Sequence, residues 1–317
     1  MKYVVTGGTG HIGNTIIKYL IEAKKEVRVL TRRIDDSIKD LPVEYVIGNV
    51  FEEKFLAQNI HQGDCVIHLA GIIDIKNKLK EETYRINYLG TKLLADLSLK
   101  KGVKQFIYFS STDVLEKSGT GDLIREPNMI DPSKIKSNYG NSKALATEYM
   151  LKMQKSQDKM KIVVLYPSAV IGINDYKPSY VGKVIRDIIA NKPQFSINGG
   201  YNFVDVEDIA KFTVKVCEMN ISNSYILSGT QVSVDQLYKA VNKILNKEKK
   251  IRHIPYFIVL LAIPFVPYLS KYTLDTLQDK SKYDCSKAIK AGYSITPFIK
   301  TVEKAVSFQK ERLLMKK

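Results

Sequence analysis

The stretch TGGTGHIG, residues 6–13, follows directly on the apolar run YVVTG (3–7). It leads into Asn14 to Ala23, where Ile16, Ile17, Leu20 and Ile21 recur at helical spacing. A strand therefore enters a glycine turn that opens into a helix. Gly7, Gly10 and Gly13 meet three needs of a dinucleotide pyrophosphate: a tight turn, a closely approaching backbone, and a helix N-terminus whose free N–H groups and dipole favour anions. The G-x-x-G-x-x-G spacing departs from the general G-x-G-x-x-G fingerprint, and turns use glycine for many reasons. The strand before the loop and the amphipathic helix after it make nucleotide binding the reading.

Beyond the loop, apolar runs keep alternating with helical patterns, which marks βαβ units and a parallel sheet. VRVL (27–30), VEYVIG (43–48), CVIHLAG (65–71), QFIYFSS (105–111) and KIVVLY (161–166) read as strands. Leu89, Leu93, Leu94 and Leu97 mark one helix, and Ser142 to Met153 another. Asn198 to Val206 and Ser224 to Leu227 read as further extended pieces, with a mainly helical C-terminal part. The fold class expected is α/β, a doubly wound parallel Rossmann sheet with a smaller, mainly helical C-terminal substrate lobe. Residues 1–166 form the dinucleotide domain, with 201–230 returning to it; 167–200 and 231–317 form the lobe.

At 317 residues the chain can bury a full core, and 44% hydrophobic with 26% charged residues argues against extensive disorder. The net charge of +16 is spread along the chain. It reads as a lysine-coated surface that favours an anionic cofactor or substrate, with no nucleic-acid partner expected. Cys65, Cys217 and Cys285 lie far apart with no CxxC, which argues against a metal site or disulfide framework and for a reducing compartment. MKYVVTGG runs straight into a strand and offers no signal-peptide core, so a cytoplasmic location is expected. IPYFIVLLAIPFVPYL (254–269) is apolar but carries Pro255, Pro264 and Pro267, and a membrane span needs about twenty uninterrupted residues. A helix broken near Pro264, packed over the ligand site or in a subunit contact, is expected, without stable membrane insertion; peripheral membrane association is the alternative.

The end of the second strand reports on the adenine ribose. A carboxylate there holds the 2′-hydroxyl of NAD, whereas arginine accommodates the 2′-phosphate of NADP. VRVL is followed by Thr31, Arg32 and Arg33, with no carboxylate before Asp35. The guanidinium fork matches phosphate, so NADP is expected, with NAD as second choice. Two solvated turn arginines are the alternative.

TGGTGHIG, GDCVIHLAG (63–71), RINYLGTKLL (85–94), QFIYFSST (105–112), YGNSK (139–143), YPSAVIG (166–172) and FVDVEDIA (203–210) occur in that order. Together they resemble the landmarks of the extended short-chain dehydrogenase/reductase superfamily over nearly the whole chain. Within it, the NAD-dependent epimerase/dehydratase family and dihydroflavonol-reductase-like members are the most similar. The resemblance implies cofactor contacts from Gly7, Gly10, His11, Ile12 and Gly13, from Leu69, Ala70 and Gly71, and from Asn87 and Pro167. It places the 2′-phosphate at Arg32, and Arg33 extends that assignment by position. It implies a catalytic YxxxK pair, Tyr139 and Lys143, with Lys143 on the nicotinamide ribose and Thr112 at the strand end. Asp113 reads as either a substrate contact or a turn carboxylate, and Ser168 as a substrate contact. Three departures count against a sugar-nucleotide enzyme. The YG pair of the epimerases is missing from SSTDVLE, Val114 stands where the dehydratases carry a glutamate, and Tyr166 replaces an arginine before the later proline.

Tyr139 and Lys143 stand one helical turn apart. An ammonium beside a phenol favours the phenolate and draws its pKa down from about 10. Tyr139 is therefore expected to exchange the proton at a carbonyl or alcohol oxygen while Thr112 donates to the oxyanion. The same spacing at Tyr88/Lys92 and Tyr283/Lys287 reads as two surface pairs, since neither follows a hydroxyl-bearing strand end. His68, inside an apolar strand, reads as a satisfied core histidine. His11 either touches the pyrophosphate or faces solvent or the substrate mouth. The expected function is NAD(P)-dependent, NADP-preferring oxidation or reduction of a small-molecule carbonyl/alcohol substrate. The alternatives are a nucleotide-sugar epimerase or dehydratase, and a non-catalytic NADP-binding sensor. The resemblance also implies a homodimer through the helices near 85–100 and 142–155.

Overall fold

Strand β1 (Tyr3–Thr6) is buried along its whole length, as is β2 (Val27–Thr31). Continuous apolar runs of this kind belong to strands covered on both faces. In the computed structural model, which describes all residues except 75, 118–120, 122, 264–269, 280 and 316–317, five more strands join them. These are β3 (Glu44–Ile47), β4 (Cys65–His68), β5 (Gln105–Phe109), β6 (Lys161–Pro167) and β7 (Asn223–Leu227). The sheet runs β7-β6-β5-β4-β1-β2-β3, with every pairing parallel. The chain builds outward from β1 to β3 and then returns to place β4 on the other side of β1. The carboxyl ends of β1 and β4 thus form the switch point at which such sheets bind ligands.

Alternation along each strand supplies two cores. Val5, Val29, Ile67 and Ile107 pack with Ile16, Ile17 and Leu20 of α1 (His11–Glu22). Val4, Leu30, Val66 and Phe106 face the other way, against Leu94 of α2 (Gly90–Lys100) and Ala144 and Met150 of α3 (Asn138–Ser156). The helix expected over 142–153 runs further at both ends, and it starts early because Ser137 caps it, accepting from the Gly140 N–H at 3.0 Å. Ahead of α2 the chain is helical from Lys80, and Tyr84–Leu89 widen into one π-helical turn around Asn87.

The strand expected over 198–206 forms at Gly200–Asp205, outside the main sheet. It lies between Ala169–Ile171 and Thr230–Ser233. Around it pack α4 (Tyr180–Ile189), α6 (Val234–Ile244) and α8 (Phe298–Leu314), through Ile185, Leu237 and Val302. Between them α5 (Val206–Met219) lies against α1 through Ile209 and Phe212. Further on, α7 (Lys271–Gln278) and the two-residue strand Lys282–Tyr283, paired with Leu123–Ile124, close over the carboxyl end of β5. Of the apolar stretch 254–269, Tyr256–Ala262 is helical; the expected break near Pro264 lies outside the described residues. Among the described residues, no helix is long and apolar enough to cross a membrane.

Candidate active site

The glycine loop carries its backbone close to its neighbours. A Cβ on Gly7, whose φ is +74°, would sit 2.6 Å from the backbone N of Ala70; one on Gly13 would sit 2.3 Å from the Gly7 carbonyl oxygen. No side chain caps α1, so the N–H groups of its first turn have no partner within the helix. They open onto a cavity of about 520 Å³ that also reaches the carboxyl ends of β4 and β5. A side-chain-free cradle at a helix N-terminus fits a dinucleotide pyrophosphate.

Along this cavity the structure brings together Gly7, Gly10, His11, Ile12, Gly13, Leu69, Gly71, Thr112, Asp113, Tyr139, Lys143, Pro167 and Ser168. Four expected cofactor contacts lie outside its lining. Ala70 donates its N–H to the Thr6 hydroxyl. Asn87 is buried behind the wall, accepting from Ile72 N at 2.8 Å and donating to Ile72 O and to Ser142 Oγ; it holds the loop after β4 to α3. Arg32 and Arg33 are exposed at the end of β2, where their side chains make no ion pair among the described residues. Two solvated guanidiniums at that edge are what the alternative reading describes.

At the far end, Ser111 caps a short turn over Thr112–Val114 by accepting from Asp113 N at 3.2 Å, and its hydroxyl donates to Asp113 Oδ2 at 3.1 Å. Lys143, buried in α3, donates to the Phe109 carbonyl and lies 4.5 Å from the centre of the Tyr108 ring. Burial lowers its pKa to about 7. Tyr139 behaves differently from the expectation that Lys143 draws it down. Burial, and next the Asp113 carboxylate, push its phenol well above the usual range, and only the neighbouring Ser111 hydroxyl opposes them. Desolvation outweighs charge attraction here because the ammonium is turned to the Phe109 carbonyl. His68 is a core residue, bonded at 2.7 Å to the Thr6 hydroxyl and 2.9 Å to that of Thr91. Burial, with help from Lys143, lowers its pKa to about 3, so it stays neutral.

Several lining groups escape sequence reasoning. Tyr283, expected at the surface with Lys287, instead sits beside Thr112, carried there by the strand pairing at Leu123–Ile124; only Lys287 is exposed. Tyr201 and Tyr272 complete an aromatic wall, and burial followed by Asp113 raises both phenols. Lys117 pairs with Asp279 at 2.9 Å; burial pulls its pKa down, but Tyr283, Asp113 and Asp279 outweigh it. The other two surface-pair residues have partners as well: Tyr88 packs on the core, and Lys92 bonds Asp96 at 2.7 Å.

His11 lines the cavity and at the same time ties its ring to the loop after β6. Its Nε2 bonds the Ile173 carbonyl at 2.7 Å. Burial lowers its pKa against the pull of Asp175. Along the same helix face, Asn14 donates to the Asn174 carbonyl at 3.1 Å, Lys18 donates to Asn174 Oδ1 at 2.5 Å, and Asn174 donates to the Thr15 hydroxyl at 3.3 Å. Asn174 itself has a φ of +63°. The phosphate-end helix is thereby latched to the loop that enters α4.

Residues 3–226 match the model of the NAD dependent epimerase/dehydratase family. A putative dihydroflavonol 4-reductase of Synechocystis is 31% identical over 211 residues, 66% of this chain and 60% of that protein. Sterol demethylase protein B of Methylococcus capsulatus is 23% identical, over 75% of this chain and 72% of that one. Among solved structures, gox2253 superposes with a TM-score of 0.84 at 25% identity, covering 98% of both chains. The UDP-glucose 4-epimerase of Thermotoga maritima superposes at 0.81 with 19% identity, covering 99% of this chain and all of that one, which bears on the fold alone.

Proposed function

The chain belongs to the NAD-dependent epimerase/dehydratase family of nicotinamide-dinucleotide enzymes, and from that premise we propose an NADP-preferring oxidoreductase acting on a carbonyl/alcohol substrate. The observation that carries this reading is the meeting of Thr112, Tyr139 and Lys143 in one cavity with the glycine loop at its other end. The dinucleotide, when bound, supplies or takes up the hydride. The protein's own groups do the rest. The first turn of α1 holds the pyrophosphate, with Leu69, Gly71 and Pro167 along the cofactor. Arg32, with Arg33 beside it, meets the 2′-phosphate from solvent. Tyr139, kept neutral by burial, donates its proton to the carbonyl oxygen, and Thr112 steadies the charge that develops there. Lys143, its pKa lowered to about 7 by burial, holds the nicotinamide ribose and returns a proton to the site once the Tyr139 proton has gone to substrate. Asp113 and Ser168 orient the substrate against the wall of Tyr201, Tyr272 and Tyr283.

A putative dihydroflavonol 4-reductase and decarboxylating sterol dehydrogenases among the relatives are in keeping with a plain redox reaction, although a dTDP-glucose dehydratase and a UDP-glucose epimerase stand there too. The aromatic wall suits an apolar ring better than a sugar nucleotide, and Val114, fully buried, offers no acid/base group for dehydration. In the same reading, residues 1–166 and 201–230 serve the cofactor, 167–200 and 231–317 serve the substrate, and α2 and α3 form a homodimer contact.

The test is NADPH oxidation over a panel of ring ketones and aldehydes. Net consumption that Tyr139→Phe abolishes, with NADPH affinity nearly unchanged, is the expected result. Near wild-type rates in that variant would sink the catalytic assignment. A tightly held dinucleotide with interconversion of UDP-sugars and no net consumption would replace the reading with an epimerase, and dinucleotide binding without turnover of any kind would replace it with a sensor.

A further inference from the structure

We propose that the helix Tyr256–Ala262 is a docking face for the surface of an anionic lipid bilayer. The helix turns one side inward, where Val259 (4% exposed) packs on Leu274 and Leu277 of α7. The rest of it faces out: Phe257 is 64% exposed and Leu261 72%, with Tyr256, Ile258 and Leu260 also exposed. A soluble monomer scatters its exposed apolar side chains singly; five on one seven-residue helix form a patch. Phe195, also exposed, is the register partner of Arg252 in the strand that precedes the helix.

Charge selects the occupant. Lys250 and Arg252 precede the helix and Lys271 follows it; all three are exposed, and none makes an ion pair among the described residues. Of the acids near the helix in sequence, Asp235 is engaged by His253 at 3.0 Å and by Ser196, while Glu248 and Asp275 are exposed and reduce the cationic excess without cancelling it. An apolar helix face flanked in sequence by exposed cations matches an anionic interface, where the rings enter the acyl boundary and the cations meet headgroup phosphates. A second copy of this chain would bring the same cations against one another. The helix lies on the outer side of α7, whose Tyr272, Thr273 and Thr276 line the cavity, so docking sets the cavity beside the bilayer.

Flotation with vesicles tests this without any assay of turnover. The full-length protein should float with vesicles of phosphatidylcholine mixed with phosphatidylglycerol, less with phosphatidylcholine alone, and less as salt rises. Phe257→Glu with Leu261→Glu should cut binding by more than about tenfold. Each of Lys250→Ala, Arg252→Ala and Lys271→Ala should cut it about fivefold. Melting temperature and NADPH affinity should hold in every variant, which separates a lost surface from a lost fold. No flotation on either vesicle, or flotation indifferent to these substitutions, overturns the proposal. So does a wild-type dimer that the two glutamates convert to monomer, since the face then belongs to a second copy.

Discussion

Lys143→Met removes the buried ammonium while keeping the length and apolar stem of the side chain. In the folded chain Lys143 titrates at about 7, against an ordinary 10.5, because burial opposes its charge. Below pH 7 both folded and unfolded chains hold the proton, and the folded state carries the full cost of the buried charge. Between pH 7 and pH 10 the folded chain has released the proton and the unfolded chain has not. Stability then rises with pH by up to 1.36 kcal/mol per unit. Over that window wild type should gain about 3 kcal/mol relative to Lys143→Met. At neutral pH the variant should be the more stable protein, even after losing the donor to the Phe109 carbonyl, a loss of about 1 kcal/mol. The two should converge near pH 10. Urea unfolding followed by circular dichroism at both pH values measures the gap, and groups common to both proteins cancel in the difference. A gap that stays constant from pH 7 to pH 10 refutes the reasoning, for it would mean that Lys143 keeps its proton throughout. The variant should also be inactive, a site residue held at the expense of stability.

Three further substitutions test other parts of the structure. Arg32→Ala should weaken NADP at least tenfold while leaving NAD within about twofold, by calorimetric titration, since only the former has a 2′-phosphate; equal losses would place the phosphate contact elsewhere. Gly13→Ala forces a Cβ against backbone that cannot yield, so dinucleotide affinity should fall more than about tenfold and the melting temperature should drop; unchanged binding would show a loop free to shift. Asn174→Ala removes the partners of Lys18 and Thr15 and leaves alanine at positive φ, costing about 2 kcal/mol in urea unfolding, whereas Asn174→Asp should cost less; equal costs would remove the backbone from the explanation.

The parallel sheet is legible because each of its first six strands is an apolar run ended by turn residues, and the glycine loop is legible because its needs are local. Gly200–Asp205 is legible as a strand but not as part of a second sheet, because its partners at Ala169–Ile171 and Thr230–Ser233 are too short to announce themselves. Tyr283 misleads for a similar reason: what carries it to Thr112 is a two-residue pairing with Leu123–Ile124, across most of the chain. The signal that could have found it is the density of tyrosines at 272 and 283 near the acid Asp279. Motif order singles out the Tyr139/Lys143 pair, but its electrostatics turn on which way the ammonium points. That direction depends on the Phe109 carbonyl at the end of β5, which helical spacing does not encode. Asn87 shows the same limit, since its three bonds reach the loop after β4 and α3 and say nothing at the level of its own helix.

The latch between α1 and Ile173–Asn174 bears on how this protein could be recombined with its relatives. Exchanging residues 167–200 alone would bring a foreign loop onto an α1 whose His11, Asn14, Thr15 and Lys18 are cut to receive this one. The unit of exchange is discontinuous: the helix face 11–18 travels with the loop, although some 160 residues separate them. A crossover that respects strand boundaries but splits this pair would join two intact halves and lose the seam between them.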